Sequence, residues 1–376
     1  MNTKLFAKTG RNVSILGLGC MRLPQTEVDG KWIIDKEKAL EMVDEAYNSG
    51  INYFDTAYMY HDGQSEDFMG EALSRYPRES FMLATKLPIW MADTPEDMER
   101  IFTEQLKKLK TDHFDFYLLH SLGRGNWDKC KKFGAYEFVK RKQAEGKIIN
   151  VGFSFHDSPD VLEEIASAEE WDFAQIQMNY FDWDYQNAKR QYEILESKGI
   201  PAIIMEPVRG GALADLGDEA NAILKAAEPN KSIASWAIRF AASKEGVLTV
   251  LSGMSNMEQL RDNISTTTDF KALTNDENEM LFRAAKVYSK SMAVPCTGCR
   301  YCMDCPMGVD IPKAFVKWND YAKSLDKWHL CDEYAELRKD KCAPDQCVSC
   351  GKCAEHCPQH IDIPARLAEM TAKVTG

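Results

Sequence analysis

The chain has 376 residues, 44% of them hydrophobic, and a formal net charge of −12 at pH 7. This length suits a barrel-sized domain accompanied by a smaller one. The acidic balance argues against nucleic acid as a partner. The N-terminal segment lacks the apolar core of a secretory signal, and no apolar run approaches the length of a membrane span. Together with many free thiols, this predicts a cytoplasmic protein that does not act at a membrane.

Residues 1–290 alternate short apolar runs with helical segments. Eight of the runs have the length and composition of buried strands, and they occupy residues 13–20, 51–56, 81–86, 114–120, 148–154, 173–179, 200–206 and 247–253. Eight strand–helix units over about 250 residues predict an α/β fold, a (β/α)8 TIM barrel. A doubly wound sheet would give a similar local pattern, but near-even repeats favour closure. The opening segment predicts a hairpin that turns at Thr9 and Gly10.

Two local patterns near the N-terminus and in the third helical segment need separate interpretation. Gly17 and Gly19 follow an apolar run as in a dinucleotide fingerprint, but Arg22 stands where the third glycine is needed. We interpret this segment as a tight transition from strand to loop. Further on, Thr94 followed by Pro95 predicts the start of a helix.

Polar residues end three neighbouring strands of the predicted barrel. Asp55 follows an apolar run, Lys86 follows the next and His120 the one after, while Tyr60 lies five residues beyond Asp55. Catalytic residues of such barrels lie at the C-terminal ends of the strands. We expect the Lys86 ammonium to lower the pKa of the Tyr60 phenol, and the carboxylate to keep that lysine charged. A histidine alongside can hydrogen-bond a substrate oxygen.

The D-T-A-x-x-Y…S-E segment, the strand-ending A-T-K and the L-L-H strand end resemble the aldo-keto reductase superfamily over roughly residues 5–290. This resemblance implies an oxidoreductase that acts on a small-molecule carbonyl or alcohol. It implies Tyr60 as the general acid, tuned by Lys86 and Asp55, with His120 orienting the carbonyl. Hydride would come from NAD(P)H held across the barrel mouth without a Rossmann domain.

The same resemblance implies a set of cofactor-binding positions, which are Ser154, Gln175, Gly253, Ser255, Gln259 and Asn263. Two departures leave the choice among NAD, NADP and a flavin such as FMN open. Phe155 stands where the family usually has Asn, and the basic residues that NADP-preferring members place near Gly253 and Gln259 are absent, with only Arg261 nearby. Arg209, in a Gly-rich segment, is either a phosphate partner or a surface arginine. Trp90 follows a strand and is either a pocket wall or part of the core.

Eight of the 12 cysteines form two tight runs near the C-terminus, namely Cys296, Cys299, Cys302 and Cys305, and then Cys347, Cys350, Cys353 and Cys357. Three thiolates spaced C-x2-C-x2-C suit three corners of a [4Fe-4S] cluster, and a fourth followed by Pro ligates the other cluster in two-cluster ferredoxins. The first run has two rather than three residues before its last cysteine. Zinc and disulfides are the alternatives, but zinc sites use separated pairs and disulfides suit small secreted domains.

On this pattern the two runs exchange their last ligands. One cluster takes Cys296, Cys299, Cys302 and Cys357, and the other takes Cys347, Cys350, Cys353 and Cys305. A repeated C-P-x-x-(V/I)-D-I-P segment places Asp310 and Asp362 as helix N-caps. The stretch between the runs lacks Gly and Pro and predicts helix. Residues 291–376 are therefore expected to form a mainly helical ferredoxin-like domain. The other cysteines are expected to be buried, and they are Cys20, Cys130, Cys331 and Cys342.

Together, the two halves are similar to an iron–sulfur branch of the superfamily, and three functions are consistent with them. The first is a reductase whose clusters exchange electrons with a redox partner protein. The second is a reductase whose clusters only stabilise the domain. The third is an electron-transfer or sensing protein whose barrel binds a nucleotide without turnover. The complete tetrad and the presence of two clusters favour the first. Because hydride carries two electrons and a cluster accepts one, a flavin is the expected intermediary if the halves communicate.

Overall fold

The computed structural model describes residues 1–290 and 292–375. The chain divides into two compact units, the first made of Met1–Val208 and Ala234–Asn275 and the second of Arg209–Ile233 and Asp276–Gly376. The predicted division into 1–290 and 291–376 stays a prediction. Its boundary residue, 291, lies outside the described residues, and the second compact unit begins earlier, at Asp276, and also includes Arg209–Ile233.

The described residues form twelve strands, which are β1 (Thr3–Phe6), β2 (Arg11–Ser14), β3 (Leu16–Gly19), β4 (Gln25–Val28), β5 (Lys31–Ile34), β6 (Tyr53–Asp55), β7 (Met82–Leu87), β8 (Phe114–Leu122), β9 (Ile148–Phe155), β10 (Phe173–Gln177), β11 (Ala202–Met205) and β12 (Val247–Ser252). Eight of these strands close into a barrel in the order β3, β6, β7, β8, β9, β10, β11 and β12. All eight neighbouring pairs of this barrel are parallel. The eight predicted strands and the TIM barrel are confirmed, and closure rules out the open doubly wound sheet.

The described residues also form sixteen α-helices, which are α1 (Lys36–Asn48), α2 (Gln64–Leu73), α3 (Pro95–Lys108), α4 (Arg124–Phe133), α5 (Ala135–Ala144), α6 (Pro159–Ala168), α7 (Asp182–Tyr185), α8 (Ala188–Ser197), α9 (Asp218–Ala227), α10 (Ile233–Ala242), α11 (Met257–Thr268), α12 (Asn275–Ser289), α13 (Ile311–Ser324), α14 (Lys327–Lys339), α15 (Lys352–Glu355) and α16 (Ile363–Thr375). None of the described helices is both long and apolar enough to cross a membrane.

Helix ends follow the capping chemistry of the sequence. Thr94 caps α3 in a reciprocal capping box with Asp97, and Pro95 occupies the first turn as predicted. Asp310 accepts a hydrogen bond from the Lys313 amide, and in the second copy of the repeat Asp362 accepts one from the Ala365 amide. These side chains satisfy amide groups that a helix N-terminus leaves without partners.

The barrel interior is apolar, and the N-terminal hairpin contributes to it. Phe6 and Val13, from paired strands β1 and β2, are buried with barrel residues that include Tyr53, Phe116 and Phe173. The turn of this hairpin has Gly10 at a φ of 68°, as the sequence predicts. A second hairpin, β4–β5, was not predicted, although Asp-Gly between two strands is a strong turn signal.

The second unit has a helical core of its own. Phe315 of α13, Leu330 and Leu337 of α14, and Leu367 of α16 are all buried in it. The predicted helix between the cysteine runs is confirmed in type, but it is two helices. Leu325 takes a φ of 57° between them, and α14 restarts with its own N-cap.

The expectation that all four remaining cysteines are buried is only half right. Cys20 and Cys130 are buried, whereas Cys331 and Cys342 are partly exposed. Cys331 lies on α14 outside its buried residues Leu330, Tyr334 and Leu337, and Cys342 follows the end of that helix.

Candidate functional site

The four tetrad residues come together at the C-terminal end of the barrel strands. Asp55 ends β6, Lys86 lies one residue before the end of the adjacent β7, and His120 lies near the end of β8. Tyr60 follows β6 in the loop before α2. Because these strands are neighbours in the barrel, residues far apart in sequence become neighbours in space.

A buried ion pair forms the centre of the site. The Lys86 ammonium donates to Asp55 Oδ1 at 2.6 Å and to the Thr56 carbonyl at 2.8 Å. The Lys86 and Asp55 side chains are 1% and 4% exposed. A charge this deeply buried has to be paired, and each charge here has its partner, whereas Asp55 Oδ2 is buried without a hydrogen bond and burial raises the pKa of Asp55. The ammonium is therefore fixed in place before any ligand binds.

Residues that the sequence analysis did not name form a buried hydrogen-bond network around the strand that carries Lys86. The Gln105 amide donates to the Lys86 carbonyl at 2.9 Å and to Glu66 Oε1 at 2.8 Å, and the Thr85 hydroxyl donates to the same Glu66 oxygen at 2.6 Å. Glu66 and Gln105 are fully buried. The available signal was the S-E that follows the D-T-A-x-x-Y segment, since its glutamate anchors the lysine-bearing strand.

Tyr60 faces both the lysine and the histidine. The Lys86 Nζ lies 5.0 Å from the centre of the Tyr60 ring, and that ring meets His120 edge-on at 6.2 Å between centroids. Tyr60 is only partly buried, and this burial, followed by the negative charge of Asp55, raises the pKa of its phenol. The expected lowering is therefore wrong for this structure. The lysine charge is already balanced by Asp55, so burial dominates and the phenol keeps its proton.

His120 is held as a neutral imidazole. Burial, reinforced by the nearby Lys86 charge, lowers the pKa of His120 well below its usual value. Its Nδ1 atom is buried and has no hydrogen-bond partner in the structure. The Trp90 ring lies 4.9 Å from the imidazole, so this tryptophan does border the site. A neutral imidazole can donate one hydrogen bond to an uncharged oxygen without adding a second cation beside Lys86.

The two residues matched to nicotinamide binding are adjacent in the barrel. Ser154 of β9 and Gln175 of β10 are register partners. The Ser154 hydroxyl accepts a hydrogen bond from the Ser121 amide at 2.7 Å. The Gln175 Oε1 is buried without a hydrogen-bond partner, which makes it an acceptor open to a ligand amide. Phe155, at the position usually held by Asn, is buried.

The loop after β12 leads directly into helix α11. Gly253 and Ser255 are exposed in this loop, and the Ser255 amide donates to Gln259 Oε1 at 2.8 Å. Asn263 is buried and donates to the Ser252 hydroxyl at 3.0 Å. Gly253 and Ser255 thus lie at a surface beside a helix N-terminus, where phosphate groups are favoured, whereas Asn263 binds within the protein.

Arg22 is a basic residue that the sequence analysis did not place at this site. Its aliphatic carbons lie 3.2–3.3 Å from where a Gly253 side chain would begin. Its guanidinium is 4.0 Å from Glu206, with 29% of the side chain exposed. A basic side chain therefore does lie against Gly253, and it comes from the short helical turn after β3, more than two hundred positions away. Closure of the barrel brings β3 beside β12.

The structure places Arg209 differently from the expectation of a cofactor-phosphate partner. Its side chain is fully buried, and its guanidinium donates to the Pro295 carbonyl at 2.9 Å and to Gln359 Oε1 at 3.5 Å. All three residues belong to the second compact unit. A guanidinium enclosed by protein acceptors is not exposed to a phosphate, nor is it a surface arginine.

The cysteines of the two runs lie together in the exchanged arrangement. Burial and three neighbouring thiols raise the pKa of the Cys302 thiol to about 12, and those neighbours are Cys299, Cys296 and Cys357. Burial and another three thiols raise the pKa of the Cys353 thiol to about 11, and those neighbours are Cys347, Cys305 and Cys350. Each neighbourhood combines three cysteines of one run with the last cysteine of the other.

The spacing within each group fits a cluster better than a single ion. The cavity of the second group is lined by all four of its cysteines. Within residues 1–290 and 292–375, however, no three His, Cys, Asp or Glu side chains lie close enough to hold one metal ion. Zinc requires its thiolates at about 2.3 Å from one centre, whereas each thiolate of a four-iron cluster binds a different iron. The donor set therefore fits [4Fe-4S].

The two half-sites repeat their backbone geometry as well. The Gly298 amide donates to Cys296 Sγ at 3.4 Å, and the Ser349 amide donates to Cys347 Sγ at 3.4 Å. In each case the donor lies two residues after the first cysteine of its run. Amide hydrogen bonds to cluster sulfurs orient the ligands and influence the reduction potential.

Comparisons with known proteins agree with both halves. A model of the Aldo/keto reductase family matches residues 15–285, and a model of the 4Fe-4S dicluster domain matches residues 295–361. Among relatives, the uncharacterized oxidoreductase YqkF of Bacillus subtilis is 27% identical over 76% of this chain and 99% of its own length. The L-galactose dehydrogenase of Arabidopsis thaliana is 25% identical over 74% of this chain and 91% of its own length.

Solved structures agree on the fold. The aldo-keto reductase AKR11C1 from Bacillus halodurans, in its holo form, superimposes with a TM-score of 0.62 at 23% identity, covering 76% of this chain and 96% of that one. The match of the family model to most of the barrel shows the family, and the four tetrad residues lie at the C-terminal end of that barrel. The chain belongs to the aldo/keto reductase family and carries a C-terminal 4Fe-4S dicluster domain that binds iron–sulfur clusters.

Proposed function

We propose that the barrel reduces a small-molecule carbonyl, or oxidises the corresponding alcohol, with NAD(P)H. The observation that carries this proposal is the meeting of three groups at one end of the barrel: a protonated phenol, a neutral imidazole and a buried ammonium. A carbonyl oxygen that gains a proton needs a donor, an orienting hydrogen bond and a nearby positive charge. Tyr60, His120 and Lys86 offer these in turn.

Each residue has a defined part in this reaction. A nicotinamide bound at the barrel mouth would supply hydride to the carbonyl carbon. Tyr60 transfers its proton to the carbonyl oxygen, so that the product is an alcohol. The resulting phenolate faces the Lys86 ammonium, whose Nζ lies 5.0 Å from the ring centre. Asp55 keeps that ammonium charged and immobile, and His120 donates a hydrogen bond that orients the oxygen.

Arg22 supports a phosphate-containing cofactor at the same mouth. It lies against Gly253, next to the exposed loop that precedes α11. A guanidinium and a helix N-terminus are both favourable to phosphate oxygens. Arg22 therefore takes the place of the basic residues that the sequence lacks around Gly253. The name of the plant relative, a dehydrogenase of L-galactose, supports a hydroxylated substrate for this class of barrel.

The two clusters are proposed to exchange electrons with a partner protein. Cys350, a ligand of the second cluster, is exposed, and so is the neighbouring Val348. A cluster with a surface-exposed ligand lies near the protein surface and therefore near a partner protein that docks at that surface. Because hydride delivers two electrons and each cluster accepts one, transfer between the barrel and the clusters requires a carrier capable of both, and flavins such as FMN have this chemistry.

An anaerobic titration tests the proposal. The purified protein is mixed with NADH or NADPH, with and without FMN, and the broad visible absorbance of the clusters is followed. A parallel assay adds an aldehyde or a ketone as the hydride acceptor. We expect carbonyl reduction with one of the nucleotides, and bleaching of the clusters only when flavin is present. Rapid bleaching by nucleotide alone would contradict the need for a flavin. Failure to oxidise either nucleotide with any of a panel of aldehydes and ketones would contradict the reductase proposal itself.

A further inference from the structure

Arg209 is a buried cation next to the ligands of only one of the two proposed clusters. Its guanidinium donates to the carbonyl of Pro295, the residue before Cys296, and to the side chain of Gln359, two residues after Cys357. Cys296 and Cys357 come from opposite runs and belong to the same thiol group around Cys302. The guanidinium therefore joins the two chain segments that meet at this cluster.

The backbone at Arg209 is unusual for a residue with a side chain. Arg209 has a φ of 52°, and Gly210 and Gly211 that follow it have φ values of 66° and 98°. This left-handed region costs conformational free energy for L-residues other than glycine, and such strain persists only where the surroundings enforce it. The turn aims a long cationic side chain inward, so that none of it is exposed.

A buried positive charge favours the reduced state of an adjacent cluster. Reduction adds one electron and therefore one negative charge to the cluster, and no proton is needed to balance it. The charge of an arginine persists at every relevant pH. Since charge and hydrogen bonding around a cluster set its reduction potential, a guanidinium enclosed by protein acts more strongly than one screened by solvent.

The second cluster has a different environment. Besides its four cysteines, its cavity is lined by side chains that include Met307, Ile311 and Leu367, and the lining in the described residues contains no charged side chain. The effect of Arg209 is thus expected to be confined to the first cluster.

We infer that Arg209 is a positioning residue that raises the reduction potential of the cluster held by Cys296, Cys299, Cys302 and Cys357, and leaves that of the other cluster unchanged. This inference rests on the proposed function, because it requires both clusters to be redox-active. It makes the two clusters unequal, so that an electron entering the domain is drawn toward the cluster beside Arg209.

The test is a potentiometric titration of the anaerobic holoprotein followed by electron paramagnetic resonance. Cys350→Ser, which changes a ligand of the second cluster only, assigns the two signals. Arg209→Gln should lower the equilibrium constant for one-electron reduction of the first cluster at least tenfold, which lowers its reduction potential by about 59 mV. Arg209→Lys, which keeps the charge, should shift it much less. The signal of the second cluster should stay in place in both variants.

Arg300→Gln is the matched control, because Arg300 directly follows the ligand Cys299 but is exposed. Its removal should shift the potential far less than removal of Arg209 does. If Arg209→Gln fails to assemble, Gln359→Glu tests the same charge by placing a carboxylate at the guanidinium, and it should lower the same potential. Equal shifts in both clusters, an equal effect of Arg300→Gln, or no shift in either Arg209→Gln or Gln359→Glu would overturn the inference. Absence of iron and sulfide from the wild type would instead overturn the proposed cluster function.

Discussion

The barrel site and the cluster domain assemble their functional groups by different means. In the barrel, the central pair joins residues 31 positions apart, and each is fixed by a strand within a closed sheet. In the cluster domain, three ligands of each group are three positions apart and the fourth comes from the other run, and they lie largely in segments such as 292–310 that contain only turns and irregular backbone. The barrel therefore places its groups through topology, whereas the cluster domain places most of its ligands through local spacing.

This difference has a consequence for stability. The Lys86–Asp55 pair lies inside the protein, so it forms before a cofactor binds. The cysteine-bearing segments lie mostly in turns and irregular backbone, and part of their folding free energy is expected to come from metal binding. Loss of a single functional side chain should thus be most damaging in the cluster domain, where that side chain is a cluster ligand.

The largest expected effect is loss of a whole cluster on replacement of an exchanged ligand. Cys357→Ala should remove the cluster whose other ligands lie in the first run, because Cys357 lies beside Cys302. Iron and sulfide content should fall by about half, from about eight of each per chain for two four-iron clusters. Cys331→Ala, at a partly exposed cysteine outside both groups, is the control and should retain full content. Loss of the cluster of the second run instead would show that the ligands are not exchanged.

Removal of the central cation should be the most severe change in the barrel. Lys86→Met leaves the Asp55 carboxylate buried without its partner, and breaking a buried pair in this way costs about 3–5 kcal/mol of unfolding free energy. Carbonyl reduction should also fall, because the Tyr60 phenolate loses its neighbouring charge. Denaturant unfolding and steady-state kinetics measure the two effects. A variant with unchanged stability would indicate that Asp55 takes up a proton at little cost.

A smaller effect, confined to chemistry, is expected from Tyr60→Phe. The change removes the proposed proton donor and nearly preserves shape, so carbonyl reduction should fall by about a hundredfold or more. Tyr53→Phe is a matched control in the same segment, since the Tyr53 hydroxyl is buried in the barrel without a hydrogen-bond partner. Its activity should stay near that of the wild type. Near-normal reduction by Tyr60→Phe would remove this tyrosine from the mechanism.

The same contrast explains what the sequence could and could not predict. Spacing and the Cys-Pro ending of each run, read as in two-cluster ferredoxins, predicted the pairing of cysteines across the two runs, and strand ends together with a family resemblance identified the tetrad. The roles of Arg22 and Gln105 could not be predicted, because they depend on which strands and helices become neighbours. No local sequence pattern indicates those neighbours. Arg209 was misassigned for a similar reason: a Gly-rich turn looks exposed in sequence, although its side chain is enclosed by segments nearly ninety and 150 positions away.

The pKa of Tyr60 shifts in the opposite direction from the sequence-based expectation. The lowering effect of an ammonium on a nearby phenol pKa is offset when a carboxylate pairs with that ammonium, and here Asp55 does so. Burial then dominates and raises the pKa of Tyr60, while burial lowers the pKa of His120. The phenol therefore stays protonated, and the imidazole neutral, throughout the neutral range.

Carbonyl reduction needs the protonated phenol, and its turnover rate should be flat between about pH 6 and pH 9. A free tyrosine loses its proton only near pH 10, and a raised pKa moves the loss of the Tyr60 proton to still higher pH. Alcohol oxidation needs the phenolate, so its rate should rise with pH over the same interval. Both directions are measured on one substrate–product pair with saturating nucleotide. A decline in reduction between pH 7 and pH 9 would mean that, once a nucleotide is bound, the Lys86 charge outweighs burial at the phenol.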